Sequence, residues 1–171
     1  MNGIKLILIT LVAVWLEVSF FGALRPFGII PNVFLVIILE AAAILPRSSD
    51  ALAMAVGGGF LLDLSSGVDF GLRTGFFTFL TLLVTLMRRT GADFSRISMR
   101  LTAVMSGTIL YNLAVLSTLA LSHSTIPVGL VAEKIIIEIV ENIILAVVLH
   151  YPIRKLIENQ HPNIPVIPRV E

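Results

Sequence analysis

Five carboxylates, Glu17, Glu40, Asp63, Glu138 and Glu141, interrupt stretches of chain that are otherwise apolar. Acidic groups in such surroundings could hold a ligand, contact a partner or pair with a base. Each needs some role, because a charge at the centre of a membrane helix costs about 3 kcal/mol. Glu138, Glu141 and Asn142 stand at i, i+3 and i+4 and share one helix face, opposite an array of Ile, Leu and Val. That stripe must face a helix bundle or a partner protein, and Lys134, one turn earlier, is placed to neutralise Glu138. A polar seam between helices and a contact to a ligand or partner fit it equally. Glu40, near the end of its apolar run, and Glu17 read as rim residues whose charged heads reach the interface.

Asp63 belongs to a more specific pattern. Ala51, Ala55, Gly59, Asp63 and Gly67 recur every four residues and line one face. Small residues at that spacing let a neighbouring backbone approach closely, which is how membrane helices pack without a hydrophobic drive between them. The run Gly57-Gly58-Gly59 is not a phosphate loop, since no Lys-Ser or Lys-Thr follows it. Arg73 lies a short link beyond Asp63, and Asp69 to Arg73 is an i, i+4 pair. The expected role of Asp63 is therefore an ion-paired cap on a hairpin rather than catalysis. His123, His150 and His161 lack the HExxH spacing of a zinc site, no G-x-S-x-G elbow occurs, and the chain has no cysteine. No enzyme, metal or cofactor is expected.

The elements that position these residues follow from composition. Of 171 residues, 57% are hydrophobic and 13% charged, with a mean hydropathy of +0.99. A soluble domain carries roughly 25% charged residues, so this chain has too little polar material to coat a globular surface. A net charge of +1 excludes nucleic acid as a bulk electrostatic partner. The apolar blocks approach the ~20 residues that a membrane-crossing helix requires. The expected fold is an all-α integral membrane protein with six spans. They run from about Ile4 to Gly22, Pro31 to Leu45, Ala51 to Ser66, Gly71 to Met87, Leu101 to Leu121 and Leu130 to Tyr151.

Residues 1–151 form one membrane domain and 152–171, rich in proline, a short tail that is extended or disordered. With six spans and an inner N-terminus, Lys5, Arg47, Arg88, Arg89, Arg96, Arg100, Arg154, Lys155 and Arg169 fall on one side. Arg25, Arg73 and Lys134 fall on the other. Basic loops stay inside, which places both termini in the cytoplasm and the basic 88–100 loop with them.

Three stretches, Pro31-Asn32-Val33-Phe34-Leu35, Gly59-Phe60-Leu61-Leu62-Asp63-Leu64-Ser65-Ser66-Gly67 and Phe70-Gly71-Leu72, resemble the characteristic region of the bacterial rod shape-determining MreD family. Asn32 stands where that family more often has an acid. Gly59, Asp63, Gly67 and Gly71 match the motif closely enough to be named as important. The resemblance implies a fold similar to the six-helix substrate-binding subunits of energy-coupling-factor transporters. It also implies a multi-pass protein of the bacterial cytoplasmic membrane. The implied function is a non-enzymatic scaffold of the cell-wall (peptidoglycan) elongation machinery, or elongasome, controlling cell shape. Its partners would be an MreC-like bitopic protein, MreB, the polymerase RodA and its transpeptidase. The alternative is a substrate-binding membrane subunit of such a transporter, which the same fold would serve. Span one, however, lacks the Ala-x-x-x-Ala pattern with which those subunits dock.

Overall fold

The computed structural model describes residues 3–66, 70–121 and 128–158. All regular structure among them is helical: a 3-10 turn at Pro26–Gly28 and six longer helices, α1 (Gly3–Leu24), α2 (Val33–Ile44), α3 (Ser48–Ser66), α4 (Leu72–Arg89), α5 (Ile97–Leu121) and α6 (Val128–Glu158). Two of them, α1 and α5, are long and apolar enough to cross a membrane; α2 is as apolar but has only 12 residues.

The shortest helix is the centre of the molecule. Every residue from Pro31 to Ala42 is buried, and α2 packs against all five other helices. A helix that is hydrophobic on all sides has no face to offer water and must be surrounded. The chain limits its length: Pro31 precedes it, and Pro46 pushes Leu45 into extended geometry (φ −62°, ψ 131°).

Burying so short a helix leaves its ends to be satisfied, since its first four N–H and last four C=O groups lack intrahelical partners. Its own cap residue and side chains from other helices supply them. At the N-terminus, the Asn32 carboxamide oxygen accepts from Leu35 N–H (3.1 Å) and Glu17 from α1 accepts from Phe34 N–H (2.8 Å). The Asn32 N–H itself donates to Asn142 of α6 (3.0 Å). At the C-terminus, the Arg88 guanidinium donates to the carbonyls of Ala42 (3.1 Å) and Leu45. The acid sits at the positive end of the helix dipole and the base at the negative end, so both charges add to the stabilisation.

The stripe of small residues on α3 is turned inward: Ala51, Ala55, Gly59 and Asp63 are all buried, against α4, its most extensive partner, and α1. Gly67, and Asp69 with it, lie outside the described residues. Several boundaries differ from those expected. Helix α5 starts at Ile97, so Arg100 is a buried helical residue rather than part of a basic loop. Helix α6 runs through Pro152 to Glu158, which corrects a tail beginning at Pro152. Proline forfeits one N–H there, but the helix continues past it, with Ile153 packed on the core. Residues 159–171 and the break expected at 122–127 lie outside the described residues.

Candidate functional site

Two clusters of polar side chains close the two ends of the bundle. The first gathers at the end where α1 and α3 finish and α2 and α4 begin. In α1 the stretch Leu16–Phe21 is π-helical, with the Glu17 carbonyl accepting from Gly22 N–H. Insertions of this kind widen a turn and re-aim its side chains. Glu17 is directed inward, 6% exposed, with one carboxylate oxygen on Phe34 N–H and the other on Arg73 Nη1 of α4 (3.1 Å). The expectation of a rim residue is therefore corrected: its partners are close enough to hold it in the interior.

Asp63 is 1% exposed and does not pair with the Arg73 side chain. Its Oδ1 accepts from Arg73 N–H (3.0 Å), and its Oδ2 from Gly71 N–H (3.0 Å), Thr74 N–H (3.0 Å) and Thr74 Oγ1 (2.6 Å). These are the orphan donors that open α4, so a carboxylate from α3 performs the task usually given to a helix's own N-cap residue. Gly71 sits at the cap position with φ +95°, a left-handed geometry that glycine adopts without strain. The expected ion-paired cap is thus a cap by hydrogen bonding to backbone, while the Arg73 charge goes to Glu17.

Gly59, one turn before Asp63, touches the same joint. A Cβ placed there would lie 2.7 Å from Thr74 Cα and 3.0 Å from Thr74 N. On α6, Glu138 and Asn142 also face inward. Glu138 accepts from Asn112 Nδ2 of α5 (3.1 Å), and Asn142, fully buried, donates to Thr108 Oγ1 (3.0 Å) while accepting from Asn32. Glu141 is buried with no hydrogen-bond partner for either oxygen. Lys134 is exposed and makes no ion pair with Glu138 among the described residues. The stripe is a seam joining α6 to α2 and α5, and its reverse side (Ile136, Val140, Ile144, Val147) is exposed and aliphatic.

The second cluster lies at the opposite end. Glu40 is 2% exposed and meets Arg100 Nη1 (3.5 Å) and His150 Nδ1 (3.1 Å), whose own separation is 2.7 Å. The expectation that Glu40 is a snorkelling rim residue is corrected by these two basic neighbours, drawn from α5 and α6. Arg100 also donates to Ser95 O (3.1 Å), tying the α4–α5 loop to the cluster. In that loop the Ser95 hydroxyl and N–H hold the Asp93 carboxyl below its ordinary range.

Sequence reasoning missed Glu17–Arg73, Glu40–Arg100–His150, Asn112 and Thr108. Only Asn32, an N-cap residue type directly before an apolar helix, carried a local signal for its role.

A cavity of about 550 Å³ opens beside the first cluster. Glu17, Arg25, Arg73, Tyr111, Lys134 and Glu138 stand on its wall. Compared with protein-family models, curated proteins and solved structures, the chain has no match. Chemically, the described arrangement can hold helices in register and can present charge to a small ligand. No group of three or more His, Asp or Glu among the described residues is placed to hold a metal ion.

Proposed function

We propose that the chain is a non-enzymatic, six-span scaffold of the bacterial cytoplasmic membrane that acts in cell-wall elongation, as the MreD-like motif implies. The observation that carries this reading is the α3–α4 joint. The residues of the resemblance, Gly59, Asp63 and Gly71, meet there, and each serves close helix packing or helix capping. A motif made of packing and capping residues suits a protein whose product is a shape presented to partners. The partners proposed are an MreC-like bitopic protein, with MreB, RodA and its transpeptidase. The outward surfaces suit contact with lipid and other membrane helices: Ile4, Leu8, Leu11 and Trp15 on α1 are each at least 47% exposed.

The reading is tested by replacing the MreD-family protein of a rod-shaped bacterium with this chain. Rod width and co-purification of the MreC-like partner are expected to be kept. Rounded cells despite normal membrane insertion would overturn it.

Six spans also give a definite sidedness. The first cluster and its cavity face outward, whereas the Glu40 cluster, the α4–α5 loop and both termini face the cytoplasm. Cysteines at Ser95 and at Ser124, the latter outside the described residues, are expected to react with an impermeant maleimide from opposite sides. Labelling from the same side would contradict six spans.

A further inference from the structure

We infer that the cavity between α1, α4, α5 and α6 is a binding site for a phosphate-bearing head group. The inference stands apart from the choice of protein partner, since it concerns the wall of the cavity alone. Three cations reach that wall from three separate elements: Arg25 from the turn after α1, Arg73 from the first turn of α4 and Lys134 from the start of α6. Among the described residues, two carboxylates, Glu17 and Glu138, share it.

Both acids are already engaged, Glu17 by Phe34 N–H and Arg73, and Glu138 by Asn112. Arg25 and Lys134 are exposed and form no ion pair with an acid among the described residues. Arg73 gives Nη1 to Glu17 and keeps 29% of its side chain accessible. The helix N-terminus below the cavity offers little to an anion, because the N–H groups of Asn32, Phe34 and Leu35 are taken by side chains. Anion recognition therefore falls to the guanidinium and ammonium groups.

A volume of about 550 Å³ lies within the range of small-molecule sites. Cations spread around such a space suit a group with several acceptor oxygens and more than one charge. Guanidinium forks match phosphate geometry, and lysine adds a point charge. Tyr111 and Asn112 supply neutral polar wall for the hydroxyls of an attached glycerol or sugar. A phosphate of this kind could come from a lipid of the adjoining leaflet or from a soluble phosphomonoester.

The experiment is thermal melting of the full chain in a neutral detergent. One arm adds glycerol 3-phosphate, a second dihexanoyl phosphatidylglycerol, and a third sodium chloride at matched ionic strength. A ligand that binds only the folded state raises the melting midpoint with the logarithm of its concentration. We expect such a rise for at least one phosphate probe and none for chloride. A response to the lipid alone assigns a head-group site, and a response to the soluble probe assigns a phosphomonoester site.

The double variant Arg25→Gln/Lys134→Gln alters two exposed side chains and should fold as wild type while weakening the response at least tenfold in concentration. Arg89→Gln/Arg96→Gln, at the other end, should leave it unchanged. The inference fails if neither probe exceeds chloride, if the Arg25/Lys134 variant responds as wild type does, or if both double variants lose the response equally.

Discussion

Asp63→Leu is expected to remove most of the folded protein, with a loss of about 4 kcal/mol or more. The substitution leaves three backbone N–H groups at the start of α4 and the Thr74 hydroxyl without their acceptor, in a part-buried joint where each unmade bond costs up to about 1–3 kcal/mol. It also removes a negative charge from the positive end of the α4 dipole. Asp63→Asn keeps one good acceptor. With its oxygen in the Oδ2 position it still serves Gly71 and Thr74, and only Arg73 N–H faces an amide donor, for a loss of about 1–2 kcal/mol.

The charge-exchanged pair Asp63→Arg with Arg73→Asp separates the two ways in which this acid could work. An Asp63–Arg73 ion pair would survive exchange. A cap on backbone N–H groups would not, because arginine has no acceptor and the carboxylate introduced at position 73 would stand against Glu17. We expect the exchanged pair to melt no higher than Asp63→Arg alone. Recovery toward wild type in detergent melting would overturn the capping role.

Gly59→Leu should be nearly as damaging, and Gly59→Ala should already destabilise. The atoms that a Cβ would meet at position 59 are backbone: Thr74 Cα at 2.7 Å, Thr74 N at 3.0 Å and Arg73 O at 3.2 Å. Backbone cannot swing aside as a side-chain tip can, so α3 and α4 must separate and the Asp63 bonds must lengthen. Overpacking of this kind costs about 1–3 kcal/mol, and leucine belongs at or beyond the upper end.

Gly57, two residues earlier, is the internal control. A Cβ there meets nothing within 4 Å, and alanine is favoured over glycine in a helix by about 1 kcal/mol. Gly57→Ala should raise the melting midpoint while Gly59→Ala lowers it. Equal effects at the two positions would show that the glycine run matters for flexibility rather than for contact.

The α3 stripe could be read from the chain because its period of four is a local property, and a helix converts that period directly into a face. The helix order was legible for the same reason: apolar blocks and proline-rich links are local. The role of Asp63 was half legible. Sequence displays side-chain charge, so Arg73 suggested an ion pair, but it does not display the unpaired N–H groups of a helix start. Those are equally strong attractors, and they took the carboxylate.

Glu40, Arg100 and His150 were not legible at all. Separations of 60 and 110 residues join them, and no spacing rule links positions so far apart. Their meeting is a consequence of α2 standing at the centre, with α5 and α6 laid against it. Pro152 misled for a related reason: the helix continues through it to Glu158, and Ile153, directly after it, packs on the core.

The enclosed position of α2 also sets a schedule for its birth. At 12 residues it rises only about 18 Å, well short of the roughly 30 Å hydrocarbon core. It therefore has no stable existence as a lone segment in lipid. Glu17 precedes it and Asn32 caps it, but the other groups that complete its ends and its one charge arrive later in synthesis: Arg88 first, then Arg100, and last Asn142 and His150, these two each 110 residues after its partner. At 5–20 residues per second, a ribosome needs roughly 5–20 s to cover that interval. Until Arg88 and then Arg100 emerge, the nascent chain carries an apolar segment with an open C-terminal end and a bare carboxylate, and the Asn32 N–H waits longer still for Asn142. Under the proposed six-span reading, such a segment waits beside the insertion machinery, shielded by a translocon or insertase, until α6 is delivered. A protein whose core is threaded early and enclosed late ties its yield to the occupancy of that machinery, and slower elongation lengthens its vulnerable period.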